Sequence, residues 1–223
     1  MTFLSRLREA TAPDRRALFA VPQIVDGLSG RISRETYLAY LAQAYHHVRH
    51  TVSLLELARS RMDPARGAIR TALERYIEEE RGHEEWILND IAAAGGDAEQ
   101  VRASAPNAAT SAMLEFAYHA VGQGDPVGLF GMIFVLEDTS AAIASRGAAQ
   151  VAAALGLGPE CFSYLASHGD LDQQHMQFFA NLVDGIDDPV AQQAIIEVAR
   201  NIYRLFADLF RSIPHDRGIE HAI

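Results

Sequence analysis

The amino-acid sequence predicts an all-α protein, a single bundle of about seven or eight helices. Three observations lead there. Apolar residues recur at three- and four-residue spacing through most of the 223 residues. Extended β-branched runs bounded by turns are absent from the sequence. The Asp-Pro pairs at 63–64, 125–126 and 188–189 and the glycines at 95–96, 122–124 and 156–158 fall between the periodic segments. No linker, repeat or low-complexity stretch divides the chain. Residues 1–223 therefore read as one domain, with a core at about 18–212 and a polar tail at 213–223.

The elements follow in order. Ser33 is placed to cap a helix running from about 34 to 60, with Ile32 and Tyr37 spaced as a hydrophobic staple. Asp63-Pro64 reads as a cap followed by proline at the first helical position. The helix it opens is expected to run unbroken to Ala94 and to stop at Gly95-Gly96. Residues 97–107 read as a connector with a short helix, and 108–122 as another helix. Asp125-Pro126 repeats the cap-and-proline start and opens a helix to about Leu155. After a break at Gly156–Pro159, a helix is expected to reach about Val183. Asp187-Asp188-Pro189 then opens the last, to about Ser212.

Composition narrows the function. A net charge of −10 would repel a polyanion, so nucleic acid is not an expected partner. All 19 basic residues are arginine. Schiff-base chemistry and Walker-type phosphate binding, which need a lysine amine, are thereby excluded. The single cysteine, Cys161, precludes an internal disulfide framework and fits a reducing cytoplasm. Apolar runs read as short and interrupted, so neither a bilayer span nor a membrane partner is expected, and the N-terminus lacks a secretory pattern.

Three segments carry acids and histidines where the apolar stripe belongs. In RYIEEERGHEEWILND, the stripe through Leu73, Tyr76 or Ile77, Ile87 and Ile91 passes over Glu80 and His83. Glu79, four residues before His83 and slightly off the stripe, competes with Glu80. In GLFGMIFVLEDTSAAIAS, Glu137 follows an apolar run from Leu129 to Leu136. A carboxylate there is costly to bury unless it is paired, protonated or metal-bound. In SHGDLDQQHMQFF, His168, Asp172 and His175 stand at i, i+4 and i+7, on one helical face. Each segment taken singly also suits an acidic surface or a buried polar network. Together the inward groups are carboxylates and imidazoles without thiolate, a donor set suited to iron or manganese.

With these residues in place, the chain resembles the haem-oxygenase-like diiron oxidases and oxygenases, relatives of TenA, PqqC, CADD and UndA. The family's ordered set is Glu, His, Glu, then His-x3-Asp-x2-His, supplied here by Glu80, His83, Glu137, His168, Asp172 and His175. Some members carry the first Glu two turns before the His, where this chain has Tyr76; others carry it three residues before, as Glu80 is. Over residues 18 to 210 the resemblance implies a haem-oxygenase-type bundle and two irons per chain, or an iron–manganese pair. It further implies dioxygen as co-substrate, a small apolar or amino-acid-derived substrate, an external reductant and a homodimer.

TYLAYLAQAYHHVRHTV resembles the early cavity-lining helix of the TenA-like group. Gln43, His47 and His50, spaced to share a face, are with Tyr76 the expected substrate-binding or supporting residues. His119, His215 and His221 read as incidental, and Trp86, Met132, Phe134 and Phe178 as packing. Three other readings compete. A TenA-type hydrolase of thiamin-derived pyrimidines needs no metal but does need a cysteine nucleophile. A haem oxygenase needs one proximal histidine. A non-enzymatic regulator on the same fold needs no buried ligands.

Overall fold

The structure, a computed structural model, describes residues 1–215, except for the side chains of residues 169–174. Among the described residues there is no strand; the chain forms eleven α-helices. They are α1 (Phe3–Phe19), α2 (Pro22–Gly27), α3 (Arg34–Val48), α4 (Thr51–Arg61), α5 (Gly67–Glu80), α6 (His83–Ala93), α7 (Ala98–Ala103), α8 (Ala108–Gln123), α9 (Leu129–Leu155), α10 (Ser163–Asp184) and α11 (Pro189–Ser212).

The excess over seven or eight has identifiable causes. Two leading helices, α1 and α2, precede the first predicted helix at 34. The predicted helix over 34–60 breaks at Arg49-His50, where the His50 amide bonds the His47 carbonyl in a tightened three-residue turn. The predicted helix from Asp63 to Ala94 starts later and breaks inside. Asp63 accepts from the Ala65 amide at 2.8 Å and makes a turn, so α5 begins only at Gly67. At Arg81-Gly82 the backbone leaves the helix, with Gly82 left-handed at φ 89°. Apolar periodicity continues across both breaks, which is why the sequence reads as unbroken.

The caps at Ser33, Asp125 and Asp188 form as read: each side-chain oxygen accepts from a backbone amide two or three residues on. Ile32 and Tyr37 are both buried in one cluster.

α9 is the spine of the bundle and packs against α10 and α11. Phe130 and Phe134 from α9, Phe179 from α10 and Tyr203 from α11 are fully buried there. Each such side chain contributes about 1.5–3 kcal/mol by leaving water. Gly131 brings two backbones together: a Cβ at that position would lie 2.3 Å from the Ile195 carbonyl oxygen of α11. One expectation about this helix is corrected. Residues Pro126–Leu155 are long and apolar enough to cross a membrane by length and composition. The segment looks interrupted because its apolar residues are divided by glycines, Glu137 and hydroxyls. In the fold, 61% of its most apolar window is buried inside the protein, as a core helix requires.

Candidate metal centre

The break between α5 and α6 builds half of the site. Glu79 and Glu80 end α5, and His83 begins α6 on the far side of the left-handed Gly82. Glu80 and His83 therefore meet across a turn and not along one helical face. Glu80 Oε2 lies 3.2 Å from His83 Nδ1. The His83 ring is clamped by Trp86, stacked at 4.1 Å and 26°, and meets the His168 ring edge-on at 4.9 Å. Glu80, His83 and His168 each offer a ligand atom, all within 4.8 Å of one another.

His168 comes from α10, and its Nδ1 lies 2.9 Å from the Tyr164 carbonyl oxygen. A carbonyl can only accept, so Nδ1 carries the proton and Nε2 keeps its lone pair, the tautomer a metal ligand needs.

A second cluster adjoins the first. His175, 4% exposed, sits two turns along α10. Its Nε2 lies 3.2 Å from Glu79 Oε2, and its Nδ1 lies 3.4 Å from Glu137 Oε1. Tyr76 meets the His175 ring at 5.8 Å. Burial, followed by the neighbouring Glu137 carboxylate, pushes the Tyr76 phenol well above its ordinary range, so it stays protonated. Glu137 is 7% exposed. Burial raises Glu80, but the His83 hydrogen bond and the charges of His83, His168 and His175 together hold it below the usual carboxylate value.

The structure thus brings together Glu80, His83, Glu137, His168 and His175, and adds Glu79, the residue read as the competitor of Glu80. The two glutamates occupy different clusters instead of one excluding the other. Asp172 lies outside the described side chains. His47 and Tyr76 line the cavity that opens on the clusters. Gln43 and His50 do not. The Gln43 carbonyl oxygen accepts from the Asn107 amide and the Thr110 hydroxyl, tying α3 to the start of α8. His50 pairs with the Tyr118 hydroxyl at 2.9 Å. The expectation that the three share a cavity face fails because Gln43 is drawn aside to α8 and α3 ends before His50.

One residue went unread in the sequence and another was misread. Asp90, fully buried, accepts from the Ser163 amide, the Ser163 hydroxyl and the Tyr164 amide, so it caps from α6 the helix that carries His168 and His175. The signal was an aspartate beside Ile91 on the apolar stripe. His215, read as incidental, bonds the buried Asp26 at 2.8 Å, and Arg31 holds the same carboxylate. Those partners are remote in sequence.

The donor set fits metal. It is carboxylate and imidazole throughout, and the enclosed atoms His83 Nδ1 and Glu79 Oε2 face Glu80 and His175 at 3.2 Å, carboxylate against imidazole as ligands of a shared ion would be.

Residues 38–207 match the sequence profile of a family described as iron-containing redox enzymes. A search of curated proteins finds no match. Solved structures share the fold over nearly the whole chain. One is a domain of unknown function with a heme oxygenase-like fold from Shewanella denitrificans OS217, with TM-score 0.86, 23% identity, and coverage of 94% of this chain and 91% of that one. A TenA family transcription regulator from Silicibacter sp. TM1040 gives 0.77 at 17% identity, covering 94% and 95%. Heme oxygenase-1 from the cyanobacterium Synechocystis sp. PCC6803, in complex with heme, gives 0.73 at 13%, covering 95% and 91%.

Proposed function

The chain belongs to the family of iron-containing redox enzymes, and from that premise we propose that it is a non-haem diiron oxygenase acting on a small molecule. The observation that carries this reading is the pair of adjoining clusters, Glu80–His83–His168 and Glu79–Glu137–His175, each mixing carboxylate with imidazole. The resemblance adds Asp172 as a further ligand. With Asp172, the carboxylates Glu79, Glu80 and Glu137 would offset the four positive charges of two ferrous ions. Bound ferrous iron would supply the electrons and open coordination positions needed to reduce dioxygen.

The chain's own residues do the rest. Trp86 and the Tyr164 carbonyl fix two imidazole rings in place. Asp90 holds the start of α10 against α6. Tyr76 keeps its proton beside Glu137 and is placed to donate it there. The mostly apolar cavity wall lowers the local dielectric around the reacting groups. An external reductant and a homodimer belong to the same reading.

The hydrolase reading has the fold in common but lacks a poised nucleophile. Cys161 is buried, its thiol is pushed up first by burial, and it is not on the cavity wall.

Anaerobic titration of the metal-free protein with ferrous iron tests the proposal. About two irons should bind per chain, and His168→Ala and His175→Ala should each lose iron while remaining folded. Folded wild-type protein that takes up no iron would sink the reading.

A further inference from the structure

An ion that fills the clusters arrives from water as a hydrated cation, so the chain has to give it a way in. Two approaches lead to the centre. One is the cavity, which reaches Glu80, Glu137 and His168. Its wall is otherwise mostly apolar, as Ile133, Leu136 and Phe206 illustrate, and a cation crossing such a surface loses water with little to replace it. The other is the seam between α5 and α10, where the second cluster comes to the surface.

Glu79 marks that seam. Its side chain is 34% exposed, far more open than those of Glu80, His83, Glu137 or His175. Its two oxygens are used on opposite sides. Oε2 lies 3.2 Å from His175 Nε2, inside the cluster. Oε1 accepts from Arg75 Nε at 2.8 Å, one turn back on α5. The Arg75 guanidinium also lies over the Phe178 ring of α10, 4.3 Å from its centre. Phe178 is one turn past His175 on the same helix. One cation therefore bridges α5 and α10 directly outside the second cluster. Side-chain exposure falls inward along this line, from 48% at Arg75 through Glu79 to 5% at His175.

The order of charges decides what the seam does. A carboxylate oxygen can take the place of a water ligand on a hard divalent cation, so Glu79 offers the ion its exchange partner. Arg75 opposes it, because a guanidinium stays charged at any working pH and repels a second cation at close range. An exposed pair four residues apart on a helix is worth only about 0.3–0.5 kcal/mol by itself. The Phe178 contact supplies a second anchor, which a free surface arginine lacks.

We propose that divalent cations enter the centre through the α5–α10 seam, where Glu79 is the first protein ligand they meet and Arg75 is a charged gate that slows them. This rests on the metal reading above and adds to it a route and a controlling residue that belongs to neither cluster.

Stopped-flow mixing of metal-free protein with anaerobic ferrous iron tests it, with a weak, fast colour indicator reporting the free ion. Arg75 is exposed and glutamine is a good helix former, so Arg75→Gln should fold as wild type does. At low salt it should take up iron about three- to tenfold faster than wild type, and Arg75→Glu should be faster again. High salt should shrink both differences to less than about twofold. The number of irons bound should not change. A role confined to holding the helices together would not order the rates by charge or make the difference fade with salt. Arg211→Gln removes the same charge beside the cavity residues Phe210 and Ile213, and it should leave uptake within about twofold of wild type. Acceleration by Arg211→Gln equal to that by Arg75→Gln would overturn the seam in favour of the cavity. Equal rates in wild type, Arg75→Gln and Arg75→Glu would overturn the gate and leave the metal reading standing, whereas folded wild type that takes up no iron removes both.

Discussion

Glu79 and Glu80 are neighbours in the chain, yet they turn to different imidazoles: Glu79 to His175 and Glu80 to His83. Successive side chains on a helix diverge by about 100°, so the end of α5 can serve two clusters at once. The sequence could not show this, because spacing ranks residues by one face and two clusters need two faces. The carboxylate and histidine types were legible, since Glu137 and His175 stand where apolar residues belong. What hid Glu79 was the break at Gly82, which lets the helix end between the clusters. The prediction at this scale separates Glu79 from its neighbour Glu78. Glu79→Ala should weaken ferrous iron binding about tenfold or more, whereas Glu78→Ala, at an exposed position, should leave it unchanged. Equal binding by wild type and Glu79→Ala, measured by equilibrium dialysis, would return Glu79 to a surface ion pair with Arg75.

At the scale of the element, the decisive feature is a turn. Gly82 adopts φ 89°, a conformation that costs an L-residue about 1–2 kcal/mol, and no atom stands within 4 Å of where its Cβ would go. Gly82→Ala should therefore destabilise by about 1 kcal/mol through backbone conformation alone, and it should also weaken iron binding by shifting His83 away from Glu80. Gly67→Ala, at a position equally open but without positive φ, is the control: chemical denaturation should show no loss of stability and iron binding should hold. Loss of stability in Gly82→Ala with full iron affinity would mean that His83 is positioned by Trp86 and not by the turn. Helix ends marked by local chemistry, at Ser33, Asp125 and Asp188, were readable because the capping oxygen lies within three residues of the amide it bonds. The breaks at Arg49-His50 and Arg81-Gly82 were not, because tertiary packing bends a chain whose apolar period runs on. The Asp90 cap of α10 was hidden for the same reason, since it spans 73 residues.

At the scale of the molecule, the all-α class follows from periodicity and punctuation, while the centring of the bundle on α9 required seeing which faces meet. That centring encloses the cavity and buries His47 within it, and the burial couples site and stability. Desolvation holds the His47 imidazole down to about 4, and the nearby charges of His168, His50 and His46 push the same way. In the unfolded chain it titrates near 6.5. Between those values the unfolded state binds a proton that the folded state refuses, so stability rises with pH through this window. The stabilisation is full above about 6.5 and is lost as pH falls toward 4, by about 2 kcal/mol between pH 6.5 and 5. Replacing the imidazole by an apolar group of similar size removes that proton from the balance. His47→Leu should therefore flatten the pH dependence of the urea-unfolding free energy between pH 6.5 and 5 relative to wild type, whatever it does to stability at pH 7. An unchanged slope would place the titration on other histidines and make His47 accessible to protons in the folded state. The imidazole would then be hydrated in the folded state, and its burial against Phe206 would not exclude water from the ring.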